Sequence, residues 1–232
     1  MPVTIMPREW SRNNYDKLFA DTDFVIWYGN TSFTAGVRTV LGVYFAALAG
    51  CAFAKYSFRF KRFFFFLVLA TLTLPFLVLL APLFLMMRDF GWVDTFLAIF
   101  VPGIVGAFNI FLMRQYNEAA PDELMDAARI DGASELRIFH SVIIPLVRPA
   151  LGVVAIFIFV YTWNDFLWPL IVLHDDKKYM LSLGIATMNG PNDVEIGASM
   201  AASLLSTLPI LAVFVLMQRQ IIAGLTQGAV RG

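Results

Sequence analysis

The side chains that could take part in chemistry are concentrated in one polar segment, residues 121–149, which separates two long apolar stretches. Asp122 and Glu123 follow Pro121 at its start. Proline suits the first position of a helix, and carboxylates are stabilised by the positive end of the helix dipole. These residues therefore indicate where a helix begins.

Two short helices joined by a glycine turn are predicted for this segment. Leu124, Ala127 and Ala128 share one face, because residues three and four apart are neighbours on a helix. Gly132 is a natural stop, since glycine enters the left-handed conformation without strain, and Ser134 can cap a second helix. In that second helix the side chains that recur at helical spacing are Leu136, Phe139, His140 and Ile143.

The apolar stripe on this polar loop has to be buried against another surface. It can pack on the ends of the chain's own membrane spans. It can also dock into a groove on a soluble partner, as amphipathic helices commonly do. The residues alone leave both possibilities open.

The sequence contains no arrangement that is typical of catalysis or of metal binding. No Gly-x-x-x-x-Gly-Lys-Ser/Thr string is present to cradle a phosphate, and no Ser-His-Asp or Cys-His arrangement is indicated. The single cysteine, Cys51, lies in an apolar run, and His140 and His174 are too few and too far apart for a metal motif. We therefore expect neither catalytic residues nor metal ligands.

The composition points to a membrane. Of 232 residues, 59% are apolar and only 15% are charged, with a net charge of zero. Soluble domains are closer to half apolar and a quarter charged. This balance excludes a disordered tail, a nucleic-acid binder with a basic face and almost any soluble enzyme, and it favours a polytopic membrane protein.

The predicted fold class is all-α, a bundle of membrane-spanning helices. A bilayer core needs about 20 apolar residues as helix, and open strands are excluded because their edges would be unpaired in lipid. The predicted transmembrane domain covers residues 31–218, with spans at about 31–54, 63–87, 95–113, 149–173 and 198–217. Prolines within these spans are expected to act as fixed kinks at Pro75, Pro82, Pro102 and Pro209.

The basic residues predict the orientation. Ten of them lie in the loops after the first and third spans and in the tail, against six in the other loops and the N-terminal segment. Because basic loops favour the cytoplasm, residues 114–148 and the tail 219–232 are expected inside and residues 1–30 outside. An external N-terminus with no preceding span has two explanations. Either the short segment is translocated, or a first span is missing from this version of the chain, and we expect the second.

The polar loop carries a recognisable motif. Asp126-Ala127-Ala128, three residues, Gly132, nine residues and then Val142-Ile143-Ile144-Pro145 resembles the coupling motif of ABC importer permeases, with Asp126 in place of the family's glutamate. Residues 121–135, 163–170 and 218–232 are similar to the carbohydrate branch of that family, in particular to the maltose-type second permease subunit. The similarity covers about residues 30–232.

This resemblance implies a function and a set of partners. The chain is expected to be a permease subunit, not an enzyme, and to have six spans in its complete form, of which the first is absent here. It is expected to bind no cofactor, since ATP would be hydrolysed by separate ABC ATPase subunits docked on residues 121–145. The other expected partners are a homologous second permease, an extracytoplasmic solute-binding protein, a sugar and the bilayer, with no nucleic acid. The docking element implied by the motif consists of Leu124, Asp126, Ala127, Ala128, Gly132 and Leu136.

Polar side chains inside the spans are the candidates for a substrate pathway, because such groups usually face a cavity or each other. Sugars are commonly held by aromatic faces and hydrogen-bonding side chains, and the candidates are Asn109, Trp163, Asn164 and Asp165. Asn164 and Asp165 can alternatively bond across to a neighbouring helix of the second permease. Arg38 either extends to the outer surface or contacts the pathway. An ion-coupled secondary carrier is the alternative function, although no internal repeat is evident.

Overall fold

The computed structural model describes residues 11–188 and 196–229, with side chains described up to residue 218. Within these residues all regular structure is helical, as predicted. The helices are α1 (Asn13–Asp21), α2 (Phe24–Lys55), α3 (Lys61–Ala70), α4 (Phe76–Asp89), α5 (Phe96–Phe100), α6 (Ala107–Glu118), α7 (Glu123–Ile130), α8 (Glu135–Ile138), α9 (Ile144–Leu146), α10 (Arg148–Trp163), α11 (Leu167–Val172), α12 (Leu181–Thr187) and α13 (Ile196–Ala229). A π-helical turn, Phe139–Ile143, joins α8 to α9.

Two of the predicted spans are single helices that are long and apolar enough to cross a membrane, namely α2 and the Ile196–Gln218 part of α13. Helix α2 begins at Phe24, earlier than the predicted residue 31, because Phe24 and Trp27 are themselves buried against other helices. The segment 1–30, which was predicted to lie outside, therefore includes the first turns of this helix and, before it, α1. Helix α1 packs on the start of α13, since a Cβ at Gly197 would lie 2.5 Å from the side chain of Asn14.

The second predicted span is broken. Lys61–Thr73 and Phe76–Asp89 are inclined by 106° to each other. The break falls at Pro75, which has no N–H to donate and restricts the preceding residue to extended backbone. Leu74 is extended accordingly, with ψ at 115°. The two helices can together make one broken span or a re-entrant segment.

The third and fourth predicted spans, 95–113 and 149–173, are not single helices either. In the third, α5 and α6 are separated by residues 101–106, which include Pro102 and two glycines. In the fourth, α10 ends at Trp163 and α11 begins at Leu167. Pro82 and Pro209 lie inside α4 and α13. The prediction of continuous helices is wrong here, because a buried break can be satisfied by packing that hydropathy does not reveal.

Helix α2 is the centre of the packing. At Gly50 a Cβ would lie 2.6 Å from the Cβ of Met113, and at Gly42 it would lie 2.6 Å from the carbonyl oxygen of Ile104. Small residues at such positions allow helix backbones to approach closely. One buried apolar cluster then joins the spans to the polar loop, through Cys51, Met113, Met125, Ile138, Phe139, Ile143 and Val154.

Candidate functional site

The polar loop contains the two helices and the glycine turn that the sequence predicts. Helix α7 follows Asp122, and Gly132 stands just after it with φ at +78°. Ser134 lies at the N-cap position of α8, but its side chain makes no capping hydrogen bond. Ser134 therefore occupies the predicted N-cap position, but the predicted capping by its side chain is wrong.

The apolar residues of the loop are divided between two faces. Met125 and Ile138 are buried against the spans, and Ala128 is half-buried beside them. Leu124 is 46% exposed and Leu136 is 63% exposed. The loop thus packs on its own spans and also leaves apolar side chains free on the opposite face.

Ile130 belongs to this free face, although the sequence pattern did not single it out. Its side chain is 87% exposed, more than Leu124 or Leu136. Ile130 follows Ala127 by three residues and Asp126 by four, so helical spacing on α7 could have identified it. Asp126, Ala127 and the glycine turn are likewise exposed.

Arg129 ties the two loop helices together. Its Nη1 donates to Oδ1 of Asp126 at 2.8 Å, and its Nε donates to Oε1 of Glu135 at 2.9 Å. These hydrogen bonds raise the pKa of Arg129 above its ordinary value, and the bonds that Glu135 accepts from Arg129 and Tyr56 lower the pKa of Glu135. The Asp126 carboxylate, expected to face a partner, is therefore paired within its own helix.

The loop is also attached to the C-terminal end of α2 at two points. Lys55 Nζ donates to the carbonyl oxygen of Ala120 at 2.5 Å and to Oδ1 of Asp122 at 2.6 Å. Tyr56 Oη donates to Oε2 of Glu135 at 2.5 Å. The hydrogen bond and charge of Lys55 lower the pKa of Asp122, while burial and the contact with Glu135 raise the pKa of Tyr56 to about 12.

A second candidate site is a cavity of about 570 Å³ between the broken spans. Its walls come from the break between α3 and α4, from residues 99–109, and from the C-terminal half of α10 with the residues that follow it. Most of the lining is apolar, with four long polar side chains, Arg38, Asn109, Tyr161 and Asp165. Cavities of this size with a few polar groups are typical of small-molecule sites.

Arg38 is directed into the bundle. Its side chain is only 8% exposed, its Nε donates to the carbonyl oxygen of Gly103 at 3.0 Å, and its Cζ lies 5.3 Å from the ring centroid of Tyr161. A Cβ at Gly103 would lie 1.8 Å from Arg38 Nη2, so glycine is what leaves room for the guanidinium. The possibility that Arg38 extends to the outer surface is wrong, because two inward contacts hold it.

The four predicted pathway residues do not come together. Asn109 and Asp165 line the cavity, and the charge of Asp165 interacts with that of Arg38. Trp163 is buried elsewhere, where its Nε1 donates to the carbonyl oxygen of Ser206 at 3.0 Å and its ring stacks on Phe159. The side-chain amide of Asn164 donates to the carbonyl oxygen of Val160 at 2.8 Å in its own helix.

Tyr161 was not predicted, although it lies near the end of α10, four residues before Asp165, and lines the same cavity. In the sequence, only Asp165, as a charged residue inside a predicted span, indicated this part of the cavity. Trp163 and Asn164 lie outside the cavity lining, with Trp163 bonded to α13 and Asn164 bonded to its own helix.

Comparison with known proteins agrees with this architecture. Residues 40–227 match the family described as binding-protein-dependent transport system inner membrane component. The arabinooligosaccharides transport system permease protein AraQ of Halalkalibacterium halodurans is 39% identical, covering 97% of this chain and 81% of that protein. The lactose transport system permease protein LacG of Rhizobium radiobacter is 35% identical, covering 92% of this chain and 78% of that protein.

Solved structures show the same fold. A chain of a bacterial ABC transporter involved in import of the acidic polysaccharide alginate superposes with a TM-score of 0.82 at 26% identity, covering 94% of this chain and 82% of that one. The methionine ABC transporter MetNI superposes with a TM-score of 0.62 at 16% identity, covering 93% and 99%, which is a likeness of fold alone. The chain therefore belongs to the family of inner membrane components of binding-protein-dependent transport systems.

Proposed function

We propose that the chain is the transmembrane permease subunit of an ATP-driven carbohydrate importer and that residues 121–145 couple it to the ATPase. The observation that carries the proposal is the exposed apolar face of a rigidly held loop in a chain of this family. The relatives named for arabinooligosaccharides and lactose support the substrate class. The family is a membrane component and not an enzyme, and ATP hydrolysis belongs to a separate subunit. Neither the relatives nor the fold supports an ion-coupled carrier.

The docking surface that we propose consists of the free face of α7 and the start of α8. Leu124, Ile130 and Leu136 provide apolar contacts, and the small side chain of Ala127 allows close approach. Burying an isoleucine or leucine side chain contributes about 1.5–3 kcal/mol. Burial of these side chains in an apolar groove of an ATPase subunit would favour docking of the loop, and Asp126 serves to hold Arg129 in place.

The proposed pathway includes the cavity around Arg38. Asn109, Asp165 and Arg38 provide acceptors and donors for sugar hydroxyls, and Tyr161 provides an aromatic face. In an apolar surrounding such hydrogen bonds discriminate strongly, because an unpaired buried polar group costs about 1–3 kcal/mol. The homologous second permease would supply the facing wall, and a solute-binding protein would deliver the sugar from outside.

The chain is a multi-pass protein of the membrane. We propose that residues 114–148 and the C-terminal tail face the cytoplasm and that residues 1–30 face outward. The excess of basic residues in the loops after the first and third predicted spans supports this orientation.

Cross-linking tests the docking surface. The chain is produced with its ATPase and second permease, and Ile130→Cys is treated with a thiol-to-amine cross-linker. Capture of the ATPase subunit is expected, because Ile130 is exposed on the free face, while Cys51 is buried and does not compete. Val25→Cys, which is exposed at the other end of α2, is the matched control and should capture no ATPase. Failure of Ile130→Cys to capture an ATPase that otherwise hydrolyses ATP would contradict the proposal.

A further inference from the structure

A basic and aromatic surface lies at the turn between α2 and α3, on the side of the bundle where Tyr56 bonds to the polar loop. Residues 55–62 contain four basic side chains, and no aspartate or glutamate occurs between Asp23 and Asp89. The charge of this turn is therefore not balanced by acidic residues of the same stretch of chain.

Two of the four basic side chains are used in contacts within the chain. Lys55 Nζ donates to Oδ1 of Asp122 at 2.6 Å. Lys61 Nζ donates to the carbonyl oxygens of Ala54 and Tyr56, at 3.2 and 2.9 Å. Such bonds satisfy carbonyl groups that the last turn of a helix leaves without partners. The two lysines thus hold the end of α2, and their role is structural.

Arg59 and Arg62 are the other two basic residues, and both are exposed. In the part of the chain that the structure describes, neither guanidinium forms a hydrogen bond or an ion pair, and the one contact of Arg59 is its Cζ lying 5.0 Å from the ring centroid of Phe60. A guanidinium carries five N–H donors in a planar fork that fits the oxygens of a phosphate. These two side chains are therefore available to an anion.

The start of α3 combines this charge with an exposed apolar face. Phe63 and Phe66 are each more than half exposed. Arg62 lies on the same side of the helix as Phe66, because residues four apart are neighbours. Phe65 packs inward instead, with its ring centroid 5.3 Å from that of Phe53 on α2. Helix α3 thus presents both arginine and phenylalanine side chains away from the bundle.

The order of these groups matches the order of groups in a phospholipid. The chain is a multi-pass membrane protein, and along α3 the basic residues come before the aromatic ones. Clusters of basic residues beside a membrane segment attract anionic headgroups. Phenylalanine side chains enter the boundary between headgroups and acyl chains. One surface thus offers contacts to both parts of an anionic lipid.

We infer that this turn and the start of α3 form a binding site for an anionic phospholipid, in which Arg59 and Arg62 contact the phosphate and Phe63 and Phe66 contact the acyl chains. A free phosphate would use the arginines alone. A zwitterionic phospholipid would cover the phenylalanines, but its headgroup has no net charge to offer two guanidiniums. The inference depends on the location of the chain in a membrane and is independent of the transported substrate and of the ATPase.

Photolabelling tests the site. The full chain, with the subunits that purify with it, is placed in phosphatidylcholine nanodiscs that contain a trace of photoactivatable phosphatidylglycerol. Mass spectrometry should find the label in residues 56–67. Replacing part of the phosphatidylcholine by unlabelled phosphatidylglycerol should displace the label, whereas phosphatidylethanolamine or inorganic phosphate should not. Label confined to other segments, or equal displacement by phosphatidylethanolamine or by inorganic phosphate, would overturn the inference.

Substitutions measure the part played by the two arginines. Arg59→Gln and Arg62→Gln should each raise the fraction of phosphatidylglycerol needed for half-maximal displacement by about fivefold, which corresponds to about 1 kcal/mol for a basic residue at an anionic surface. Arg62→Lys keeps the charge and should be affected less. Arg88→Gln, the same change at an exposed arginine paired with Asp89 at the end of α4, is the control and should keep the wild-type value.

The wild-type value in both Arg59→Gln and Arg62→Gln would also overturn the inference, because the phenylalanines alone would then account for the binding. Size-exclusion chromatography checks that each variant assembles. If a glutamine variant does not assemble, the displacement series on the wild-type chain decides the question, since it needs no substitution.

Discussion

At the scale of single residues, Arg38 and Gly103 depend on each other structurally. A charged side chain inside a bundle is tolerated when it is hydrogen-bonded or paired. Arg38 has the carbonyl of Gly103 and the ring of Tyr161 as neighbours, and Gly103 provides the space that the guanidinium occupies. Asp165 adds an opposite charge on the same cavity.

Gly103→Ala tests this pair. The added Cβ would lie 1.8 Å from Arg38 Nη2 and 2.6 Å from Cζ, so the guanidinium must leave its carbonyl. We expect transport to fall about tenfold, with ATPase assembly retained, and we expect Arg38→Met to give the same loss. The measurement is sugar uptake by proteoliposomes. Gly29→Ala, where a Cβ meets nothing within 4 Å, should transport normally, and equal uptake by both alanine variants would argue against the pair.

At Gly132 the constraint is the backbone conformation. A Cβ there would meet no atom within 4 Å, but φ is +78°. A β-branched residue is strongly disfavoured in that conformation. Gly132→Val is therefore expected to distort the turn, to leave the chain in the membrane and to remove stimulation of the ATPase by loaded binding protein. Gly132→Asn, which tolerates this conformation better, should retain part of the stimulation. ATPase assays on membranes with matched amounts of the chain measure both, and full stimulation in Gly132→Val would contradict the role of the turn.

At the scale of elements, α2 and α6 cross in close backbone contact. Gly50 allows this crossing, because a Cβ there would lie 2.6 Å from Met113 Cβ and 2.8 Å from the backbone nitrogen of Arg114. A contact with backbone atoms cannot be relieved by rotating a side chain. The two helices must separate if the residue grows.

Gly50→Ala should consequently destabilise the membrane domain by about 1–3 kcal/mol, the usual cost of overpacking. The expected observation is a lower thermal midpoint of the detergent-purified complex. Gly36→Ala on the same helix, where a Cβ has open space, should leave the midpoint unchanged or raise it slightly. Equal midpoints for the two variants would show that the crossing is looser than the structure indicates.

At the scale of the whole molecule, the orientation that we propose places three regions in order from the cytoplasm outward. They are the loop of residues 121–145, the cavity and an outer loop cluster. In the outer cluster Asp94 accepts hydrogen bonds from the backbone of His174 and Asp175 and from Lys178, at 3.0, 3.1 and 2.7 Å. It links the loop before the third span to the loop after the fourth. Burial acts to raise the pKa of Asp94, but these hydrogen bonds outweigh it and lower the pKa to about 2.

The lowered pKa predicts the pH dependence of this link. Because the folded pKa of Asp94 is below its ordinary value of 3.8, its contribution is complete above that value and is lost as the pH falls towards 2. Asp94→Asn should therefore lower the thermal midpoint at pH 7, and the difference from wild type should shrink between pH 4 and pH 2. Melting curves of the detergent-purified chain across this range test the prediction. If the difference in thermal midpoint between Asp94→Asn and wild type stays constant with pH, the charge of Asp94 is not its cause.

The sequence determined the features that depend on consecutive residues. Apolar stretches of sufficient length indicated a multi-pass membrane protein, because partition into lipid is a property of composition. The residue types from Pro121 to Ser134 specified two helices and a turn, because capping and positive φ are local. The orientation and the absent first span stay predictions, as do the roles of the predicted site residues.

Only the tertiary structure decided which side chains are free and which are held. Ile130 and Met125 lie on one short helix, yet one is exposed and the other buried, because the neighbouring spans cover a single face. Arg38 donates to the carbonyl oxygen of Gly103, which is 65 residues away in the sequence. Lys55 donates to the carboxylate of Asp122, which is 67 residues away. Contacts between residues so distant depend on how the helices pack and break, and local propensity and hydropathy carry no information about that.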